Sequence, residues 1–322
     1  MRLKLVPDST SIDFFSRSKL WLGISAVLIV VALASFFLQG LNYGIDFRGG
    51  TTIRTESAEP VNVGEYRGAL QDLGLGDIVI SEVFDPSFGP DQNVAMVRIA
   101  PQDEAEAVTQ ETITAVEAAL QEVAPDIQFT SVSSVGPKVS GELIQTAMIA
   151  VLLAIGAVLV YIWLRFEWQF AVGAVVALVH DVALTIGIFS ELQIRFDLAI
   201  IAALLTIVGY SLNDTVVVFD RVRENLIKYK NRDLKQVLNQ SINETLSRTL
   251  VTSLTTLIAL IALLVLGGDV IRGFVFAMTW GVIIGTYSSI FVASIVLYRL
   301  GVKRDWSKPD TPSGNQFANV DA

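Results

Sequence analysis

Six runs of almost uninterrupted apolar residues cover positions 20–38, 143–164, 168–190, 197–219, 248–267 and 274–297, with the charged residues gathered between them. An α-helix rises 1.5 Å per residue, so about twenty residues cross a ~30 Å hydrocarbon core. The pattern predicts a polytopic α-helical membrane protein with six transmembrane helices. Within the first run, Ala32-Leu33-Ala34 has the small-residue spacing of a signal-peptide cleavage site. The apolar run continues through Phe36, Phe37 and Leu38, which favours an uncleaved anchor.

Between the first two runs the hydrophobic period changes. Thr51-Thr52-Ile53-Arg54-Thr55 alternates as a strand does. Asn62 opens a helix with Val63, Tyr66, Leu70 and Leu73 on one face, and Gly74 closes it. Strands are expected near 78–84 and 93–99, joined by a turn at Gly89-Pro90-Asp91. A second helix is expected over about 103–123, with Asp103 and Glu104 in its first turn, and a last strand near 127–133. The order βαββαβ is the split βαβ, ferredoxin-like arrangement. Residues 39–142 therefore read as a small α+β domain inserted between spans one and two. The fold supports many functions; without a catalytic motif, the domain reads as a binding or lever module.

Composition narrows the chemistry. The chain has no Cys and one His, which excludes disulfides, thiol catalysis and His-cluster metal sites. A net charge of −9 gives no basic face for nucleic acid. Its distribution predicts topology. Arg221, Arg223, Lys228, Lys230, Arg232 and Lys235 crowd the 220–247 loop, and Arg299, Lys303, Arg304 and Lys308 the C-terminal end, while residues 40–142 hold seventeen acidic and five basic side chains. Lys and Arg near span ends stay in the cytoplasm. The expectation is a cytoplasmic tail at 1–19, a first span at 20–38, a periplasmic domain at 39–142, a five-helix bundle at 143–297 with the cytoplasmic loop 220–247, and a cytoplasmic tail at 298–322.

Polar residues inside the spans are candidates for function, because a charge at mid-bilayer costs about 2.5–3.5 kcal/mol. The fourth span carries Asn213-Asp214, with Ala203, Ile207, Tyr210, Asp214, Val217 and Arg221 on one face beside the small stripe Ala202, Thr206, Gly209 and Asn213. The fifth carries Arg248, with Thr245, Thr252, Thr255 and Ala259 along one face. Asp214 and Arg248 fall at similar depths and are placed to pair or to alternate between pairing and separation. An aspartate held between an opposite charge and desolvation can bind and release a proton. The alternative is a static hydrogen-bond network with Arg248 reaching to the interface. His180-Asp181 in the third span puts Asp181 on a small face with Gly173, Ala177 and Thr185, and His180 about 100° away. In the sixth, Gly273, Ala277, Gly281, Gly285 and Ser289 recur every four residues, a helix-packing stripe.

Several of these segments together resemble the SecF family, the smaller half of the SecD–SecF accessory complex of bacterial protein export. They are Gly44-Ile45-Asp46-Phe47-Arg48-Gly49-Gly50-Thr51, Ser134-Val135-Gly136-Pro137-Lys138, Gly209 to Arg221, and Arg248-Thr249 with the Thr-rich stretch after it. The resemblance implies kinship with the resistance-nodulation-division exporters. It also implies a SecD partner completing a pseudo-symmetric twelve-span unit, work alongside the SecYEG channel, and unfolded preproteins as substrate. The implied setting is the bacterial inner membrane, and the implied energy source is the proton gradient. Asp214 and Arg248 then belong to the proton path, with Asn213, Tyr210, Thr252, Asp181 and His180 as supporting candidates. Asp46, Arg48, Gly49, Gly50 and Lys138 read as a hinge or anchor at the domain base, and the two glycines permit the sharp entry from span to strand. No enzyme activity, metal or cofactor other than protons is expected. The rival readings are half of a small-molecule exporter and a non-transporting assembly scaffold.

Overall fold

A computed structural model describes residues 10–86, 88–89, 91–101 and 108–302. In chain order its elements are α1 (Ser18–Gln39), α2 (Ile45–Arg48), β1 (Gly50–Ser57), α3 (Val63–Gln71), β2 (Ile78–Val83), β3 (Asn93–Ile99), α4 (Gln110–Val123) and β4 (Gln128–Val135). Then come α5 (Pro137–Arg165), α6 (Trp168–Glu191), α7 (Leu198–Lys228), α8 (Leu234–Leu266) and α9 (Asp269–Ser288). A π-helical turn, Ser289–Ala293, joins α9 to α10 (Ser294–Leu300). Among the described residues, six helical segments are long and apolar enough to span a membrane, and each overlaps one of the six apolar runs.

The inserted domain has the expected element order. Its antiparallel sheet runs β2-β3-β1-β4, and α3 and α4 pack on one face over Ile53, Tyr66, Leu70, Val97, Ile99, Val116 and Leu120. Local signals fix the helix starts. The Asn62 side chain accepts from the Gly64 and Glu65 amides, and Thr109 caps α4 by accepting from the Thr112 amide. That cap starts the described helix at Gln110 rather than 103, and Asp103 and Glu104 lie outside the described residues. The middle strands turn where the Gln92 amide donates to the Gly89 carbonyl; Pro90 lies outside the described residues.

In the bundle, α6, α7 and α9 form the centre, and α1, α5 and α8 lie around them with apolar side chains facing outward. α1 runs unbroken through Ala32–Ala34, with Ala32 buried against Gly187 of α6. The glycine stripe of α9 packs within this chain. Gly273 faces Ile200, Gly281 faces Ile207 and Gly285 faces Ser211, all on α7. A Cβ at Gly281 would overlap the Ile207 side chain, so this close approach requires glycine.

The segment expected as a loop at 220–247 is mostly helical. Only Tyr229–Asp233 separates α7 from α8. Charge ends an apolar run but not a helix, and Arg, Glu, Leu and Lys are good helix formers. The break comes at Asp233, whose side chain caps α8 by accepting from the Lys235 amide at 3.0 Å. Buried Asn225 ties the hairpin together through Ser241 and Glu244. Residues 10–16 lie along α8 as a strap. Asn243 exchanges hydrogen bonds with the Ile12 amide and carbonyl, and Asn239 accepts from the Phe14 amide, all at 2.9 Å.

Candidate functional site

Asp214 is buried, 4% exposed, on the face of α7 that meets α8 and α9. Its contact there is long: Ser253 Oγ of α8 lies 3.5 Å from Oδ2, at the limit of a hydrogen bond. Ser253 is closer to Thr286 of α9, at 2.7 Å. The carboxylate thus sits beside a hydroxyl pair that is mainly satisfied by itself.

Arg248 does not pair with Asp214. It is exposed, and among the described residues no ion pair joins the two. Helix geometry explains this. Ser253 is five residues on from Arg248, so the two point about 140° apart at 100° per residue. The face of α8 turned toward Asp214 carries buried Thr245, Thr249 and Ser253. Thr252, Thr255 and Ala259, expected to share one face with Thr245 and Arg248, are exposed. Asn213 is exposed too, and Tyr210 is half-buried, donating to Thr256 at 3.4 Å. Of the stripe read from helical spacing, Thr245 alone is buried with Thr249 and Ser253.

Arg248 instead lines a crevice of about 400 Å³ at the hairpin end of the bundle, with Arg165, Asp220, Arg221, Glu224 and Glu244. The crevice reaches Val217 on α7, three residues or about 4.5 Å of helix rise from Asp214. It also touches Thr245, from which the column Thr245–Thr249–Ser253 continues inward along α8. Thr249 Oγ1 is buried with no hydrogen-bond partner.

A second buried carboxylate is fully engaged. Asp181 accepts from Ser211 of α7 at 2.6 Å and Ser288 of α9 at 2.7 Å, and His180 Nδ1 lies 2.9 Å from its other oxygen. His180 and Asp181 are 2% and 1% exposed. The expected divergence of His180 is undone by its side chain, which folds back onto its neighbour and stacks on Tyr287. Tyr287 in turn donates to the Trp21 carbonyl of α1. Ser211 and Ser288 escaped sequence reasoning because lone serines in spans carry no distinctive spacing. The π-helical turn that begins at Ser289 follows directly on Ser288. Among the described residues no group of His, Asp or Glu is placed to hold a metal ion.

The domain base is joined directly to the helix bearing Asp214. Asp46 Oδ2 accepts from the Leu198 amide at 3.0 Å, so a residue of α2 caps α7 where Asp197 makes no side-chain cap. The Gly44 amide donates to the Phe196 carbonyl at 2.7 Å, and the Phe196 amide donates to Asn42 at 2.8 Å. Gly49 and Gly50 have φ of 75° and 106°, and a Cβ on Gly50 would strike the Ile99 carbonyl. Arg48 follows Asp46 in α2. Lys138 sits in the first turn of α5, its side chain outside the described set. A second tie is made by Asp85, just after β2, whose carboxylate lies against Gly268 at the start of α9.

Comparison with known proteins places this arrangement. The family described as protein export membrane protein SecD/SecF, C-terminal, matches residues 115–303, and the SecD/SecF GG motif matches 34–61. The chain is 60% identical over 321 residues to the protein translocase subunit SecF of Cereibacter sphaeroides, covering 100% of this chain and 99% of that one. This chain belongs to the SecF family. A SecF of Rhodobacter capsulatus is 56% identical, covering 99% of this chain and 97% of its own. The crystal structure of SecDF, a translocon-associated membrane protein from Thermus thermophilus, superposes with a TM-score of 0.81 at 35% identity. That match covers 92% of this chain and 39% of the SecDF chain, so this chain spans about two-fifths of that protein. A SecDF structure in a super-membrane-facing form matches the same share with a TM-score of 0.67. The GG motif match holds Asp46, Gly49 and Gly50, and the C-terminal family match holds Asp181, Asp214 and Arg248.

Proposed function

We propose that this chain assists protein export as a proton-driven subunit, with Asp214 as the group that takes up and releases the proton. The observation that carries the reading is a buried carboxylate with one long hydrogen bond, at the end of a buried hydroxyl column that leads from a polar crevice. Protons enter or leave on the crevice side past Arg248, Thr245 and Thr249. Arg248 acts there as an electrostatic gate. Ionised Asp214 draws Ser253 and Thr286 toward itself, and protonated Asp214 leaves them paired with each other. A membrane potential contributes about 2.3 kcal/mol per charge per 100 mV, enough to bias a two-state packing of α7 against α8 and α9. The Asp46 cap on α7 and the Asp85 contact at α9 carry that change to the α+β domain, which holds and releases the emerging preprotein.

The exposed stripes supply the place for SecD. Ala202, Thr206, Gly209 and Asn213 of α7 and Arg248, Thr252, Thr255 and Ala259 of α8 present small and polar residues where lipid would solvate them poorly. Small residues let a partner helix approach closely. In this reading the hairpin 220–247 and both termini face the cytoplasm of a bacterial inner membrane, and the domain faces the periplasm, beside the outlet of the SecYEG channel. The subunit is a transporter part rather than an enzyme, with protons in place of any cofactor. The test is Asp214→Asn in the reconstituted complex. Gradient-dependent stimulation of export is expected to vanish while SecD binding persists. Loss of SecD binding without loss of proton flux would instead indicate a scaffold.

A further inference from the structure

Helix α8 carries five threonines, and four of them bond in the same way. Thr245, Thr252, Thr255 and Thr256 each donate the hydroxyl to the carbonyl four residues earlier in the helix, at 3.0 Å. A threonine in a helix does this readily, because the bond satisfies its hydroxyl without a neighbouring helix. Thr249 departs from the pattern. The residue is 1% exposed, and among the described residues its hydroxyl has no hydrogen-bond partner. The Thr245 carbonyl is within reach of a different rotamer, about 120° away in χ1. A buried hydroxyl without a partner is costly, so its forward orientation calls for a reason outside the helix.

The depth of Thr249 in the bundle supplies one. The contacts Asn225–Ser241, Asp214–Ser253 and Tyr210–Thr256 set the antiparallel register of α7 against α8. That register puts Thr249 level with Val217 and Val218, and Val217 lines the polar crevice. Thr245, one turn toward the hairpin, lines the crevice as well. Ser253, one turn the other way, reaches Asp214. Each step along this column is four residues, or about 6 Å of helix rise. Two hydrogen bonds of about 2.8 Å placed end to end span nearly the same distance, so one water bridges each gap between hydroxyls.

Resting on the reading of Asp214 as the proton carrier, we infer that Thr249 is the valve of the path that serves it. Turned forward, the hydroxyl joins Thr245 to Ser253 through one water on each side. An excess proton on the crevice-side water bonds to Thr249 Oγ1 as the hydroxyl hydrogen leaves for the water beside Ser253, and from that water one proton reaches the Asp214 carboxylate. One O–H bond forms and one breaks at Thr249, which ends as it began. Turned back onto the Thr245 carbonyl, the hydroxyl gives its hydrogen to the helix and has none to pass on. The chain of hydrogen bonds is then cut, with no movement of the backbone.

Proton flux into vesicles holding the purified complex, read by an internal pH dye under an imposed potential, tests this. Thr249→Val keeps the side-chain shape and removes the hydroxyl, and should cut flux about tenfold, the scale of one charge-assisted hydrogen bond. Thr249→Ser keeps the hydroxyl and should hold most of the parental flux. The valine protein should melt no lower than the parent, because the hydroxyl it loses has no partner in the chain. Thr249→Ala, which is smaller, covers the case in which the valine protein fails to fold. Thr279→Val on α9 removes a hydroxyl bonded back to the Val275 carbonyl and should leave flux unchanged. Parental flux in Thr249→Val would overturn the valve. So would a loss of flux that comes with a lower melting temperature and persists in Thr249→Ser, since that pattern marks a structural hydroxyl. Asp214→Asn measured alongside separates the two readings. Flux lost there but kept in Thr249→Val removes the valve alone, and flux kept in both removes the proton role of Asp214 as well.

Discussion

Asp181 and Asp214 lie on adjacent helices of one bundle, and both are almost wholly buried, yet their surroundings differ. Asp181 holds two serine hydroxyls within 2.7 Å and an imidazole at 2.9 Å. Asp214 holds one hydroxyl at 3.5 Å. A carboxylate locked by three partners on three helices is a structural knot, because both of its oxygens are held by close, fixed side chains. A carboxylate with one long bond can change state at little structural cost. In the function proposed above the first carboxylate is structural and the second functional, and that contrast can be broken experimentally from either side.

The largest effect is expected at the knot. Asp181→Ala leaves Ser211, Ser288 and His180 without their shared acceptor and should cost about 3–5 kcal/mol, the range for breaking a buried pair by removing one partner. Denaturant titration in detergent micelles measures it. An equal cost for Asp214→Ala would erase the distinction between the two sites. Next is the packing that holds α7 beside α9. Gly281→Val drives a side chain into Ile207 and should cost about 1–3 kcal/mol as overpacking. Thermal melting reads that cost, and Gly156→Val, at an open position on α5, serves as the neutral control.

These two carboxylates also show what could be read from the chain alone. The spans were legible because bilayer thickness sets a length that composition must satisfy. The domain was legible because strand and helix periods differ and Asn62 marks a cap. Asp214 stood out because a charge in an apolar run is costly wherever it points. Of its neighbours, only Thr245 lay on the stripe read from helical spacing. Thr245, Thr249 and Ser253 share α8 with Thr252 and Thr255, and only the packing of α8 on α7 decides which stripe turns inward. The hairpin escaped because hydropathy ends at the membrane surface while helix propensity continues to Lys228. Asp46 read as a hinge residue, and its role as a cap for a helix that starts 152 residues later is a tertiary fact with no local signal.

Smaller effects refine the comparison further from the site. Asp46→Ala should cost about 1 kcal/mol, as a lost cap does, and should raise hydrogen exchange at the Leu198 and Ala199 amides without altering the Asp181 knot. If exchange rises equally around Ser211, the domain base and the bundle core are one cooperative unit. The smallest effect concerns the strap on α8. The Asn239 amide, more than any other group, holds the Asp13 carboxyl below the ordinary aspartate value, with help from Lys235. A lowered folded value means that this contribution is complete at neutral pH and disappears as pH falls through the folded value, below the ordinary aspartate range. Exchange at the Phe15 and Ser16 amides, which Asp13 accepts from, should then rise only in strong acid. In Asn239→Ala it should rise at a higher pH.

The central claim is that Asp214 moves protons and Asp181 does not. Proton flux into vesicles holding the purified complex, with a dye inside reporting pH under an imposed potential, tests it directly with Asp214→Asn. The isosteric amide keeps the packing and cannot ionise. The account predicts flux at the background of protein-free vesicles with folding and SecD association intact. Flux equal to that of the parent complex would contradict it.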